Sequence, residues 1–167
     1  MTDLLKQILI TQLEASLCML NECIQKCPPG HWDSKIANYT FWQVAYHTLC
    51  YVDVYLCKSD DLWQPDIGPT GLHPLGRTEL EAEYPSRRFD QAELHKYAAA
   101  CHRKILDSVA AETAESLAGA SGFPRHPFSR AELHIYNIRH IQHHTGQLSA
   151  FLRRVETPTG WVKTGWK

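Results

Sequence analysis

The chain of 167 residues is 44% hydrophobic and sets 17 basic against 18 acidic side chains, enough apolar material for one domain that buries roughly 70% of the surface its unfolded form exposes. A formal net charge of -1 offers no field to draw it to nucleic acid or to an anionic membrane. No apolar run nears the roughly 20 residues of a bilayer crossing, and Met1-Thr2-Asp3-Leu4-Leu5-Lys6 lacks the basic region and cleavage site of a signal peptide, so the expectation is a single cytoplasmic domain over residues 1–167 with neither partner.

Leu5, Leu9, Leu13, Leu17, Leu20 and Ile24 recur at three and four, an apolar stripe that predicts a first helix over 2–27. Pro28-Pro29-Gly30 ends it, because proline cannot continue the backbone ladder. After a connection at 31–39, Thr40 followed by Gln43 reads as a capping box opening a second helix over 41–58. Residues 59–88 are rich in Pro and Gly and predict a long irregular connection, with a helical turn at 78–83. A loop of that length is either a lid over one end of the molecule or the crossover needed to join two parallel helices. Asp90 with Glu93 opens a third helix, predicted to run to about residue 118, and Ser129 with Glu132 opens a fourth over 130–155. Four long amphipathic helices, with no strand-like alternation and no internal repeat, predict an all-α four-helix bundle with a long crossover between helices 2 and 3. The tail 159–167 carries two tryptophans and is expected to dock on the body or on a second subunit.

The six cysteines, at 18, 23, 27, 50, 57 and 101, lack the close pairs of a zinc ribbon or redox motif and read as reduced thiols. Cys23 and Cys27 are four apart but have no third ligand at hand, and are expected to serve as small buried hydrophobes.

Histidine carries the chemistry. His140 and His144 lie four apart in the last helix, so their imidazoles stand on one face, close enough to converge on one metal ion at ~2.0–2.1 Å each. Two ligands do not close a site, and His47 in the second helix is the best third. The stripes Val44, His47, Tyr51, Val54 and Leu133, Tyr136, Asn137, His140, His144, Gln147, Leu148, Phe151 turn all three inward. A lone histidine on an apolar face is ordinarily a hydrogen-bonded core residue. A helical His-x-x-x-His pair with a third imidazole in the same bundle instead matches a metal site built between helices. His31, His73, His95, His102, His126 and His134 have no such company and read as structural or solvated. His143 lies about 100° around the helix from His144 and points off the site. Gln147 and Asn137, a turn from the ligands, are candidates for orienting them by hydrogen bonds, and Gly146 suggests close packing against a neighbouring helix.

The pairing of a mid-helix histidine in the second helix with His140-x-x-His143-His144-x-Gly146-Gln147-Leu148 in the fourth resembles the DinB-like (YfiT-like) metalloenzymes, and the order of elements is similar over nearly the whole chain. Carried over residue by residue, the resemblance places that family's metal triad on His47, His140 and His144. Thr145 departs from the pattern, since family members often carry Arg there. The resemblance implies a homodimer and points to transferases and isomerases that use a low-molecular-weight thiol such as bacillithiol, mycothiol or glutathione on a small-molecule substrate. Three neutral imidazoles suit a divalent ion, zinc first and nickel, iron or manganese as alternatives. The resulting expectation is a metal-dependent thiol S-transferase of detoxification. A hydrolase that activates water, and a non-catalytic metal-binding stress protein, stay open as alternatives. No Glu adjoins the second motif histidine, as it does in helical zinc proteases.

Overall fold

The computed structural model describes residues 2–81 and 85–167, the side chains of 80 and 81 excepted. Four main helices pack together: α1 (Thr2–Lys26), α2 (Phe41–Tyr55), α4 (Gln91–Ala110) and α6 (Arg130–Arg154), with short helices α3 (Thr78–Glu81) and α5 (Ala114–Ala118) in the connections. Between α1 and α2 sits a small antiparallel hairpin, β1 (Lys35–Ile36) with β2 (Tyr39–Thr40). The expected turn at 78–83 is seen as far as Glu81; residues 82 and 83 lie outside the described residues.

Hydrogen bonds and ring contacts fix the helix directions. Lys6 near the start of α1 donates to the Glu112 carbonyl just beyond α4, while Gln91 at the start of α4 donates to the Gln25 and Cys27 carbonyls at the end of α1, so the two run antiparallel. Tyr46 meets Tyr97 and Asp53 meets Lys104, so α2 and α4 are parallel. Phe41 meets Phe151 and Tyr55 meets Tyr136, so α2 and α6 are antiparallel. The order is therefore up, down, down, up. α1 and α2 each pack along both α4 and α6. One apolar cluster draws on all four, including Leu13 and Leu17 of α1, Leu49 of α2, Ile105 of α4 and Leu148 of α6.

Joining parallel α2 and α4 obliges the chain to travel back along the bundle, over about 22 Å for a 15-residue helix at ~1.5 Å per residue. This accounts for the long connection, and its middle is docked on the body. Trp63 is buried, and its Nε1 donates to Asp53 Oδ2 at 2.8 Å. His73 is also buried: its Nδ1 accepts from the Asp66 N–H at 3.0 Å, which leaves Nε2 to donate to the Tyr97 hydroxyl at 2.8 Å. Tyr97 in turn donates to Asp53 Oδ2, and Lys104 pairs with Oδ1. Of the two readings of this segment, the crossover describes it.

Three capping boxes form where the sequence places them, at Thr40/Gln43, Asp90/Glu93 and Ser129/Glu132. The third helix is shorter than predicted. It ends at Ala110, and Thr113 caps a separate helix, α5, with Ser116 as its box partner. A buried polar knot explains the break: Glu112 turns inward to accept from Arg130 Nε at 2.7 Å and faces His134 Nε2 at 3.1 Å. Arg130 also donates to the Tyr55, Leu56 and Cys57 carbonyls, closing the C-terminal end of α2. Gly146 is exposed, with nothing within 4 Å of where a Cβ would stand, so the expected close packing there is absent. In the tail, Val162 packs on Ala15, Cys18 and Met19, and Trp166 stacks on His102, whereas Trp161 is exposed. All six cysteines are free. No helix among the described residues is long and apolar enough to cross a membrane.

Candidate metal centre

The antiparallel seam between α2 and α6 brings His47, His140 and His144 together. Their ring centroids stand 4.7 Å (His140 to His144), 4.9 Å (His47 to His144) and 5.4 Å (His47 to His140) apart. One ligand atom from each lies within 4.8 Å of the other two, and all three residues are half-buried. His47 Nε2 and His140 Nε2 are separated by 3.4 Å. Two nitrogens bound at ~2.1 Å to one tetrahedral ion stand about 3.4 Å apart, so this pair has the spacing of co-ligands.

Protonation and orientation also suit ligation. Burial, with His144, His47 and His143 beside it, pushes His140 down to about 3, so its imidazole is neutral at physiological pH, the form that binds a metal. Burial likewise lowers His144, against a hydrogen bond to Gln147 that opposes the shift. Gln147 Oε1 lies 3.0 Å from His144 Nδ1. Accepting the Nδ1 proton fixes the tautomer and leaves the Nε2 lone pair for the site. Gln147 thus takes the supporting position expected of it. Asn137 does not: it is fully buried with neither amide atom hydrogen-bonded. Within the seam, His140 Nδ1 is also buried without a partner, and no Asp, Glu or Cys joins the cluster among the described residues.

His143, expected off the site, is exposed on the outer flank, its ring 4.9 Å from that of His144 and its Nε2 near Gln147 Nε2. The other histidines are structural where they are buried. His73 belongs to the crossover network, His134 meets Glu112, and His102 meets Glu14 at 2.8 Å. Cys23 and Cys27 are buried, and burial pushes both thiols up to about 12, far from the thiolate a metal needs.

Two features beside the triad were not identified from sequence as parts of the site. The tyrosines of α2 form a collar, with Tyr51 4.8 Å from His47 and 5.5 Å from His140, and Tyr55 6.1 Å from His140. Their spacing of four and eight residues from His47 is the signal that places them on its face. The second feature is the hairpin, whose tip walls a cavity of about 230 Å³ floored by His47 and His144. A second cavity, also about 230 Å³, lies beyond Tyr51 and Tyr55 and is lined by Asp60, Arg77, Arg125 and His126 among others.

The arrangement can hold one metal ion in a three-nitrogen set. No known family, curated protein or solved structure matches the chain.

Proposed function

We propose that this protein is a divalent-metal-dependent enzyme whose ion is held by His47, His140 and His144, and that it transfers a low-molecular-weight thiol to a small electrophile. One observation carries the reading: three imidazoles converge with no carboxylate or thiolate among them in the described residues. A neutral ligand set leaves a divalent ion its full charge and an open position, the arrangement catalytic sites keep and structural sites close. An ion bound there supplies the positive charge that holds a thiol as its anion below its usual ~8.5. Zinc is the first choice on ligand type, with nickel, iron or manganese as alternatives. The resemblance to the DinB-like enzymes supports the thiol route, and the up, down, down, up bundle is compatible with it.

The chain's own residues supply the rest. Gln147 holds the His144 tautomer, the Tyr51 and Tyr55 rings cover one side of the triad against water, and the cavity beside His47 and His144 receives the second reactant. In the transfer the thiolate sulfur forms a bond to the electrophilic carbon and the leaving group departs with its electron pair. The thiol proton goes to solvent. Residues 1–167 are read as one domain and the active form as a homodimer.

Cobalt-substituted protein tests the proposal. Added thiol should produce a sulfur-to-cobalt charge-transfer band, and consumption of an electrophile should require both thiol and metal. Ester or amide turnover without thiol would establish the hydrolase instead. A cobalt spectrum indifferent to thiol, with no metal-dependent turnover, would leave a metal-binding protein without catalysis.

A further inference from the structure

Two cavities of equal size flank the triad, and they differ in chemistry. The one beyond the tyrosine collar is edged by Asp60, Arg77 and Arg125. The other is floored by His47 and His144 themselves, walled by Ile36, Ala37 and Val44, and has no Asp, Glu, Lys or Arg among the described residues that line it. Apart from the two imidazoles, its polar groups are the Tyr39 phenol and the carboxamides of Asn38, Gln43 and Gln147. Gln43 Oε1 is committed to the Thr40 N–H at 2.9 Å and to the Thr40 hydroxyl at 3.0 Å, so Gln43 has only its Nε2 donor left to offer. Asn38 sits exposed at the hairpin tip, next to Ala37, whose φ of 56° is a left-handed conformation uncommon for a residue with a Cβ. That turn holds Ile36 and Ala37 against the mouth of the cavity.

From this we infer that the hairpin cavity is the binding pocket for an uncharged, fragment-sized substrate with an apolar body and a hydrogen-bond-accepting group, the acceptor being read by the Gln43 carboxamide. The assignment rests on the proposed function, in that it gives the electrophile a place beside the triad. Its size follows from the volume, which is below the ~300–1,000 Å³ of drug-sized sites and near that of about eight waters at ~30 Å³ each. Its lack of charge follows from the lining: an ionic group placed among Ile36, Ala37 and Val44 would be desolvated with no counter-ion among the lining side chains, while in the proposed reaction the charge of the ion is engaged by the thiolate. The charged parts of a thiol co-substrate belong on the far side of the tyrosine collar, where Arg125 stands exposed.

The test is a methyl-resolved NMR titration of the full chain with benzamide and with 4-(aminomethyl)benzamide, which carries the same carboxamide and, at its far end, a protonated amine that cannot ligate a metal ion. Benzamide should shift the Val44, Ile36 and Ala37 methyls saturably, and the charged probe should bind at least about tenfold more weakly. Val44→Trp, which fills the cavity, should abolish the benzamide shifts, and Asn38→Trp, at an exposed position, should weaken binding should the first variant fold poorly. Equal affinity for the two probes, silent methyls, or unaltered binding by the folded variants would overturn the assignment. Elemental analysis of the same samples separates the two levels. Protein that retains metal but ignores benzamide sinks the pocket alone, and protein that binds benzamide there without holding metal sinks the metalloenzyme reading and supports the pocket.

Discussion

α2 gathers imidazoles on one side and carries a saturated polar network on the other, and the contrast separates the candidate ligands from the structural histidines. Toward α4, Asp53 accepts from Trp63, Tyr97 and Lys104, and Tyr97 passes the network on to His73, both of whose nitrogens are hydrogen-bonded. Toward α6, His140 meets the imidazole of His47 at one nitrogen and has no hydrogen-bond partner at the other. Buried polar groups are ordinarily paired. Three imidazoles gathered without an acid could bind a metal, whereas His73 has both nitrogens engaged and His134 faces the Glu112 carboxylate.

If the networks are structural and the triad functional, substitutions should divide stability from metal content. The largest stability effect is expected from Glu112→Ala, which leaves the buried Arg130 and His134 without their acid. Urea unfolding should show a loss of about 3–5 kcal/mol, with metal content unchanged at temperatures where the protein stays folded. Asp53→Ala should lose less, about 2–3 kcal/mol, because the Asp53–Lys104 pair is partly exposed. Limited proteolysis should then cut within 59–90 sooner than in the wild type, while the metal stays.

The pH dependence of the metal-free chain sharpens the same contrast. Burial lowers His73 despite the carboxylates around it, and burial together with Arg130 lowers His134 despite Glu112. Below about 6.5 the unfolded chain takes up protons that these two imidazoles refuse, as do His140 and His144 in the metal-free chain, so stability must fall as pH drops through that range and level off above it. Each contributes at most about 1.4 kcal/mol per pH unit. Glu112 acts at lower pH. Burial raises its carboxyl, but hydrogen bonds from Ser116, Arg130 and His134 more than offset this and hold it below 4.5; its contribution is present above that value and is lost as pH falls through the depressed pKa. Thermal melts between pH 7 and pH 4 measure both. The smallest effect should come from Ala37→Gly at the pocket mouth, where relief of the left-handed backbone is worth up to about 1 kcal/mol of added stability.

Much of the bundle was legible because its signals are local. Capping boxes close within four residues, and His140 and His144 share a face by helix period alone. The end of α4 was missed because its successor begins with a Thr113/Ser116 box, without the Glu or Gln that marks the other three. The Asp53 network was out of reach, since Trp63, His73, Tyr97 and Lys104 come from segments that only the folded crossover brings together. The hairpin was read as plain connection because two-residue strands are too short to carry a period. Gly146 was misjudged for a different reason. A helical glycine signals either close packing or nothing, and at this exposed position no neighbour approaches.

Metal analysis of His143→Ala and His144→Ala, purified alongside the wild type, tests the central claim most directly, because the two residues adjoin in sequence and differ in where they point. The wild type and His143→Ala should each carry about one equivalent of divalent metal per chain, and His144→Ala should carry almost none while still unfolding cooperatively, since the core does not depend on the ion as a zinc finger's does. Full occupancy in His144→Ala, or equal loss in both variants, would contradict the assignment of the site.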